Sequence, residues 1–276
     1  MKDLKILGKT KEYVPAIGLG TWGIGGYEMP DYSKDDHYVR IVRRAIELGL
    51  YLIDTAEYYG KGHAEEIVGS AIKDVPRDEV FIVTKVWYTN LRYDDVLKAA
   101  RRSLKRLGVD YIDLYLIHWP NPAIPLRETM KAMEKLVNMG LVRYIGVSNF
   151  DVPLMEEARS YLSREDIVAN EFKYSILDRR AERSVLPYCM RERITFIAYT
   201  PLEKGKVAQE KLLLDVGRKY GKTAVQVALN WLISKENVIA IPKTSKEERL
   251  VEFSEAMGWR LSKEDLELLN EHYKTR

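Results

Sequence analysis

Two tyrosines follow an aspartate in the stretch LYLIDTAEYYGKGHAEEIVGSAI, which runs from Leu50 to Ile72. A tyrosine is a weak proton donor near neutral pH, because the pKa of a free phenol is about 10. A lysine ammonium beside it would stabilise the tyrosinate and lower that pKa by about 1 to 3 units. Lys85, at the end of a later apolar run, is a candidate for that lysine. Most loop tyrosines are structural, so a catalytic role depends on which other groups reach the same place.

Polar residues end or follow seven of eight apolar runs of strand length. They are Asp54, Lys85, His118, Ser148 with Asn149, Glu171, Tyr199 and Lys243. Each also has an ordinary interpretation: Asp54 as a helix cap, Lys85 as a solvated strand end, His118 as a hydrogen-bonded loop residue. The carboxyl ends of the strands of a parallel barrel lie on one rim, where barrel enzymes build their active sites. Convergence on one rim therefore favours a functional site.

The apolar runs alternate with longer segments of helical period. The runs lie near residues 15, 50, 80, 111, 142, 166, 194 and 237, and the helical segments include DDHYVRIVRRAIELG, DDVLKAARRSLKRLG and TAVQVALNWLISK. Gly49, Gly108 and Gly140 mark helix ends. Near-continuous apolar strands predict a parallel sheet that is covered on both faces. We predict an α/β fold, a (β/α)8 TIM barrel, as a single domain over residues 1–276 with a short N-terminal β-hairpin and a C-terminal helix. A doubly wound open sheet is the alternative.

Composition argues against several classes of protein. The 276 residues are 46% hydrophobic and 31% charged, and 44 basic residues nearly balance 41 acidic ones. This balance suggests neither a nucleic-acid nor a membrane partner. The N-terminus lacks the apolar core of a signal peptide, and no apolar run approaches the roughly 20 residues that span a bilayer. One cysteine, Cys189, and four scattered histidines suggest no disulfide and no metal site. We expect a cytoplasmic, metal-free protein, and its many charged residues fit a heat-adapted source.

The stretch GLGTWG, from Gly18 to Gly23, matches the GxGxxG pattern of dinucleotide-binding turns. Such a turn needs a helix to begin at once, so that a pyrophosphate can lie at the helix N-terminus. The residues that follow, IGGYEMPDYS, contain two glycines and a proline and cannot begin a helix. We interpret the stretch as a glycine-rich strand end.

Seven stretches resemble the motifs of aldo-keto reductases and occur in that family's order: GLGTW, IDTAEYYG, IVTKVW, YLIHWP, YIGVSNF, IAYTPL and IPKTSKEER. The resemblance covers essentially the whole chain. It implies an NAD(P)H-dependent reductase of aldehydes and ketones, and a monomer, the family's usual state. The family's catalytic tetrad corresponds to Asp54, Tyr59, Lys85 and His118, because its tyrosine lies five residues after its aspartate. Tyr58 is then expected to be a packing residue.

Carbonyl reduction requires a hydride at carbon and a proton at oxygen, and so a general acid beside the developing alkoxide. Tyr59 is expected to be that acid, while Asp54 keeps Lys85 charged and in place. His118 is expected to hydrogen-bond the substrate oxygen and orient it. Some relatives that reduce steroid double bonds have glutamate at this position, so His118 favours carbonyl chemistry.

The resemblance also implies the cofactor contacts, with NADP(H) preferred and NAD(H) possible. Tyr199 would stack on the nicotinamide, and Ser148 and Asn149 would bond its carboxamide. The implied cofactor-binding residues are Gly20, Thr21, Trp22, Asp54, Ser148, Asn149, Glu171, Tyr199, Thr200, Pro201, Leu202, Lys243, Thr244, Ser245, Arg249 and Glu252. Three tryptophans would line the substrate pocket, namely Trp22, Trp87 and Trp119.

Two residues depart from the family's pattern. Glu171 stands where the family usually has glutamine, and a carboxylate can accept from a carboxamide but cannot donate to it unless it is protonated. Phe253 stands where many members have an asparagine near the adenine. Both departures put the strength of cofactor binding in question.

The segment IPKTSKEER predicts a preference for NADPH over NADH. Ser245 and Glu248 have the spacing of a capping box, which predicts a helix that begins near Ser245. Lys243 and Arg249 would supply the cations that recognise a 2′-phosphate.

The short TPLEKGKV segment and the short C-terminal tail predict an open pocket for a small-molecule carbonyl substrate. Aldehydes, ketones, dicarbonyls and sugar-derived carbonyls all fit this expectation. The alternative function is a non-catalytic, nicotinamide-cofactor-binding regulatory protein, as potassium-channel β subunits are among the relatives. The intact tetrad argues against that alternative.

Overall fold

The computed structural model describes residues 3–274, which begin with an antiparallel hairpin and continue into a parallel sheet. The hairpin pairs β1 (Leu4–Ile6) with β2 (Tyr13–Pro15). The sheet contains β3 (Leu19–Gly20), β4 (Leu52–Asp54), β5 (Phe81–Val86), β6 (Ile112–Ile117), β7 (Val142–Ser148), β8 (Ile167–Lys173), β9 (Thr195–Tyr199) and β10 (Val238–Ala240). Each of these strands pairs in parallel with the next strand along the chain.

Helices alternate with the strands. They are α1 (Asp35–Glu47), α2 (His63–Ile72), α3 (Tyr93–Leu107), α4 (Leu126–Asn138), α5 (Val152–Ser160), α6 (Val185–Glu192), α7 (Lys211–Tyr220), α8 (Ala224–Ile233), α9 (Glu247–Ser254) and α10 (Lys263–His272). In α1 the buried residues recur at helical spacing, as Tyr38, Ile41, Val42 and Ala45, so one face packs on the sheet. Gly49, Gly108 and Gly140 all have positive φ and end α1, α3 and α4, as the sequence predicts.

The first and last strands of the sheet meet and close the barrel. Ile17 and Ala240 form a parallel bridge, and the Gly18 amide donates to the Ala240 carbonyl at 2.9 Å. The Gly20 amide donates to the Pro242 carbonyl at 3.0 Å, which extends the contact toward the rim. The predicted (β/α)8 barrel, the hairpin and the C-terminal helix α10 are therefore confirmed, and the open doubly wound sheet is not found.

Two apolar layers surround the strands. Side chains on alternate positions point inward, and this interior layer includes Leu52, Phe81, Val83, Leu114, Leu116, Ala169, Ile197 and Ile239. The opposite positions, such as Ile82 and Tyr115, pack between the sheet and the helices. The same alternation decides which polar residues enter the barrel at its carboxyl end. Within residues 3–274, no helix has the length and apolarity needed to cross a membrane.

Two sequence predictions about helix starts have different outcomes. No helix follows GLGTWG, since the next helix is α1 at Asp35, which agrees with our interpretation of that stretch. The prediction of a capping box at Ser245 and Glu248 is wrong. Helix α9 begins at Glu247 with Lys246 as its N-cap and without a side-chain cap. The Thr244 hydroxyl accepts from the Lys246 amide at 3.0 Å, so a local turn replaces the cap.

Candidate active site

Four titratable side chains form the uppermost interior layer of the barrel. Asp54 lies two residues after Leu52 on β4, and Lys85 lies two residues after Val83 on β5. His118 directly follows β6, and Glu171 is on β8, each two residues after a residue of the interior layer. All four are buried. Strand alternation therefore brings together groups that are far apart in the sequence.

Lys85 and Asp54 form a buried ion pair. The Nζ atom of Lys85 lies 2.8 Å from Oδ1 and 2.7 Å from Oδ2 of Asp54, and it donates to the carbonyl of Thr55 at 2.9 Å. Burial opposes the charge on Lys85, but the acidic groups around it, with Asp54 the largest contributor, together outweigh burial and raise the pKa of the ammonium. The lysine is therefore a permanent cation at neutral pH.

Tyr59 begins a tight turn five residues after Asp54, the last residue of β4. Gly60 has φ +55°, and a Cβ atom on it would lie 2.6 Å from the carbonyl oxygen of Gly25, so only glycine fits there. This turn holds the ring of Tyr59 at 5.5 Å from the ring of His118, between centroids. The Nζ atom of Lys85 lies 5.3 Å from the centroid of Tyr59. The tyrosine, lysine and histidine of the predicted tetrad therefore share one site.

Lys85 acts on the pKa of Tyr59 in the predicted direction, but the net pKa is raised rather than lowered. Tyr59 is only 8% exposed, and burial of its hydroxyl raises its pKa. Lys85 acts in the opposite direction, but its effect is smaller than that of burial. The phenol therefore keeps its proton at neutral pH and can donate it to a substrate. The Lys85 cation beside it would stabilise the tyrosinate that remains after donation.

His118 is held neutral. Burial, with a smaller contribution from the charge of Lys85, lowers the pKa of His118 well below its ordinary value. Its ring meets the ring of Trp87 edge-on at 5.0 Å between centroids. Its Nδ1 atom is buried and has no hydrogen-bond partner within residues 3–274. A neutral imidazole can donate from one ring nitrogen and accept at the other.

Aromatic rings form one wall of the mouth. Tyr58 stacks on Trp87, with centroids 3.7 Å apart and planes 10° apart, and lies parallel to Trp22 at 6.1 Å. Trp22 also meets Tyr59 edge-on at 4.9 Å. Trp22 and Trp119 are 41% and 43% exposed, so both are partly open to solvent. The residues expected in the substrate pocket therefore lie beside or directly after the tetrad residues.

Ser148, Asn149 and Tyr199 meet on the opposite side of the rim. The Tyr199 hydroxyl donates to Oδ1 of Asn149 at 2.8 Å, and the side-chain amide Nδ2 of Asn149 donates to the backbone carbonyl of His118 at 3.1 Å. Asn149 has φ +61°, a conformation that asparagine tolerates better than most residues. Ser148 pairs in register with Glu171 across β7 and β8.

Glu171 lies in direct contact with the lysine of the tetrad. Its Oε2 atom is 3.3 Å from Nζ of Lys85, and its carboxyl is within hydrogen-bonding reach of Asp54. Burial, followed by the charge of Asp54, raises the pKa of Glu171 well above its ordinary value. Two carboxyl groups therefore share one buried ammonium.

Nine further cofactor candidates lie on three consecutive parts of the rim. Gly20, Thr21 and Trp22 end or follow β3, Thr200, Pro201 and Leu202 follow β9, and Lys243, Thr244 and Ser245 follow β10. Thr200 has φ +53°, and the strain of such a backbone is common at functional sites.

Arg249 and Glu252 lie one turn apart in α9 and form an ion pair with each other. The other carboxylate oxygen of Glu252 accepts from the Thr223 hydroxyl at 2.6 Å. Phe253 is only 2% exposed and belongs to the core that packs against α9.

Sequence reasoning gave no role to Glu57. This residue is 9% exposed, and its Oε1 atom accepts from the Trp87 amide at 2.7 Å and from the Asn90 side chain at 2.9 Å. It thereby fixes the loop that holds Trp87 in the mouth. A single glutamate between an alanine and two aromatic residues in DTAEYY was the available signal.

Unpartnered polar atoms at the rim fit a polar ligand. Oε2 of Glu171, Nδ1 of His118 and Oγ1 of Thr21 are buried and have no hydrogen-bond partner among the described residues. Buried polar groups are normally satisfied, so each exception needs an explanation, and a bound ligand is one that fits these three atoms at the rim. In the same part of the chain, no group of three or more His, Cys, Asp or Glu side chains is arranged to hold a metal ion.

Comparisons with known proteins agree with this geometry. The model of the Aldo/keto reductase family matches residues 16–274. Methylglyoxal reductase YeaE of Escherichia coli is 36% identical over 94% of this chain and 91% of its own length. Glyoxal reductase of Bacillus subtilis is 37% identical over 93% of this chain and 88% of its own length.

Two solved structures are similar along their whole length. The thermostable aldo-keto reductase Tm1743, in complex with the inhibitor epalrestat, is 50% identical with a TM-score of 0.94, over 98% of this chain and 99% of that one. An aldo-keto reductase from Klebsiella pneumoniae in complex with NADPH is 36% identical with a TM-score of 0.91, over 100% of this chain and 96% of that one. On the family match and these relatives, the chain belongs to the aldo/keto reductase family.

Proposed function

We propose that this protein is an NADPH-preferring reductase that converts small aldehydes and ketones, dicarbonyls among them, into alcohols. The observation that carries the proposal is the buried Lys85 ammonium, paired with Asp54 and adjacent to the protonated phenol of Tyr59. Carbonyl reduction needs a proton donor whose conjugate base is stabilised at the moment of transfer. These three residues supply that combination.

The nicotinamide cofactor supplies the hydride when it is bound. Its ring would lie against Tyr199, and its carboxamide would meet Ser148, Asn149 and Glu171. The unpartnered Oε2 atom of Glu171 fits this role, because a carboxamide NH2 group is a donor. Lys243 and Arg249 would hold the 2′-phosphate at the other end.

Tyr59 donates the proton. Its hydroxyl hydrogen passes to the carbonyl oxygen of the substrate, and the tyrosinate that remains is stabilised by the ammonium of Lys85. The ion pair with Asp54 holds that ammonium in one position, so little reorganisation accompanies the transfer. Solvent can return a proton to Tyr59 after the alcohol leaves, because the favoured state of the buried phenol is protonated.

His118 orients the substrate. Because its imidazole is neutral, a ring N–H can donate to the carbonyl oxygen without protonating it. The ring packs edge-on against those of Tyr59 and Trp87, which limits its rotation. A fixed donor beside the general acid gives the carbonyl one productive orientation.

The substrate class follows from the mouth and from the relatives. Trp22, Tyr58 and Trp87 form a set of nearly parallel rings that is partly open to solvent and suits short or planar carbonyl compounds. Two relatives are named for methylglyoxal and glyoxal, which are small dicarbonyls. We therefore place α-dicarbonyls first among the substrates to be tested.

Absorbance at 340 nm tests the proposal directly. The purified protein is mixed with NADPH and a panel of dicarbonyls, aldehydes and ketones, and consumption of NADPH is expected with at least the dicarbonyls. The alternative, a regulatory protein that binds the cofactor without turnover, predicts quenching of tryptophan fluorescence by NADPH but no loss of absorbance with any member of the panel.

A further inference from the structure

The ammonium of Lys85 has more acceptors around it than it has hydrogens. An ammonium carries three N–H donors. Both oxygens of Asp54 and the carbonyl of Thr55 lie within 2.9 Å of Nζ. The nearest oxygen of Glu171 is farther away, at 3.3 Å, and it accepts no hydrogen bond from any described residue. Lys85 therefore directs its hydrogens at Asp54 and Thr55, and Glu171 keeps only the longer ion-pair contact with it.

The net charge of this buried group also indicates that Glu171 is not fully compensated by Lys85. Asp54, Lys85 and Glu171 are 2%, 0% and 3% exposed, so they share a space that excludes most water. One ammonium with two carboxylates would leave one uncompensated negative charge there, which is costly in a low dielectric. Two carboxyl groups in contact avoid this cost when one of them keeps its proton and donates it to the other.

We propose that Glu171 is a positioning residue that stays a neutral carboxylic acid, donates its hydrogen to Asp54 and thereby fixes the Asp54–Lys85 pair. The closer ammonium contacts keep Asp54 ionised. Glu171 is the partner that holds the proton, because its contact with the ammonium is the longer one. Its action on catalysis is indirect and passes through Lys85 to Tyr59, so this inference rests in part on the proposed function.

Among the described residues, two charged groups face Glu171, and they act in opposite directions on its proton. Asp54 on β4 repels a negative charge, and the hydroxyls of Tyr59 after β4 and Tyr199 on β9 stay protonated near it. Lys85 on β5 is the one opposing group. Burial raises the pKa of Glu171 well above its ordinary value, and the charge of Asp54 adds to this effect.

Infrared spectroscopy of the full-length, cofactor-free protein tests the proton directly. In D2O near neutral pH, wild type is expected to show the carbonyl stretching band of one protonated carboxylic acid, and Glu171→Gln is expected to lack it. Labelling glutamate side chains with ¹³C at the carboxyl carbon should shift this band, because the proton lies on glutamate and not on Asp54.

Glu65→Gln is the matched control. Glu65 is also fully buried, but its two oxygens accept from the Thr84 hydroxyl and from Nε of Arg106, both at 2.6 Å. Burial raises the pKa of Glu65, but the charge of Arg106 and these hydrogen bonds oppose that effect, so we expect Glu65 to be ionised and Glu65→Gln to keep the band. The absence of a band in wild type would overturn the proposal. A band that persists in Glu171→Gln, or one that does not shift with labelled glutamate, would also overturn it.

A second experiment tests the positioning role through turnover. Glutamine can still donate a hydrogen bond to Asp54, whereas leucine cannot. The free energy of a hydrogen bond to a charged group corresponds to a factor of roughly ten or more in a rate or equilibrium constant. We therefore expect kcat to fall at least about tenfold in Glu171→Leu and to recover toward the wild-type value in Glu171→Gln. Equal kcat in Glu171→Leu and wild type would overturn the positioning role. The infrared result needs neither cofactor nor turnover, so its failure is distinct from a failure of the proposed function.

Discussion

The rings of Tyr58 and Trp87 stack face to face, with centroids 3.7 Å apart, while the adjacent Tyr59 turns away from them toward Lys85. Two chemically identical side chains next to each other in the sequence thus have different surroundings. Tyr58 is partly exposed and packs on the wall of the mouth, whereas Tyr59 is buried beside the ammonium. Only the second environment places a cation where it offsets part of the charge of a tyrosinate.

Replacement of each tyrosine by phenylalanine separates the two roles. Tyr59→Phe removes the general acid, and loss of such a group costs about 10²- to 10⁴-fold in rate. Tyr58→Phe keeps the stacked ring and is expected to change the rate by less than about threefold. Steady-state NADPH oxidation measures both, and fluorescence titration checks that both variants still bind cofactor. Similar rates in wild type and Tyr59→Phe would contradict the assignment of the acid.

Local pattern in the sequence was enough to predict the architecture and the rim. Apolar runs of strand length gave the parallel strands, and glycines such as Gly108 gave the helix ends. Because side chains alternate between the two faces of a strand, Lys85 is expected to point into the barrel interior with Val83, two residues before it. Such features depend on residues only a few positions apart, so one sequence contains them.

Features that depend on tertiary packing could not be predicted. The cap at Ser245 failed because the Ser245 carbonyl accepts from the His37 ring at 2.7 Å and Thr244 forms a turn, neither of which spacing reveals. The direction of the Tyr59 pKa depends on burial, and the contact of Glu171 with Lys85 depends on how β5 and β8 face each other across the barrel.

His118 should make stability sensitive to acid. Its pKa is lowered by burial, so the unfolded chain binds a proton below about pH 6.5 that the folded protein does not. The free energy of unfolding of wild type therefore falls as the pH drops, relative to His118→Gln, by up to about 1.4 kcal/mol per pH unit. Urea denaturation between about pH 5 and pH 7 measures this. The exposed His272, changed to glutamine, is the control for the loss of a surface histidine. Parallel curves for wild type and His118→Gln would contradict the prediction.

Glu171 should have the opposite effect on stability. Its pKa is raised by burial, so the folded protein keeps a proton that the unfolded chain releases above about pH 4.3. The free energy of unfolding of wild type therefore falls, relative to Glu171→Gln, as the pH rises toward the folded pKa, by up to about 1.4 kcal/mol per pH unit. Denaturation above about pH 6.5 avoids the His118 effect. A constant difference between the two proteins across that range would show that Glu171 titrates normally.

Arg249 is expected to set the preference for NADPH. Its guanidinium is half exposed and pairs with Glu252, and an exposed pair of this kind contributes only about 0 to 1 kcal/mol, so a phosphate can replace it. The N-terminus of α9 has no side-chain cap, so its free amides also favour an anion. Charge-assisted bonds to phosphate contribute about 1.5 to 3 kcal/mol each, so Arg249→Ala should weaken NADPH binding roughly tenfold or more. NADH lacks the phosphate, and its affinity should change little. Fluorescence titration with both cofactors measures this, and Lys263→Ala, which removes an exposed cation on α10, should affect neither. An equal loss for both cofactors in Arg249→Ala would mean that α9 does not read the 2′-phosphate.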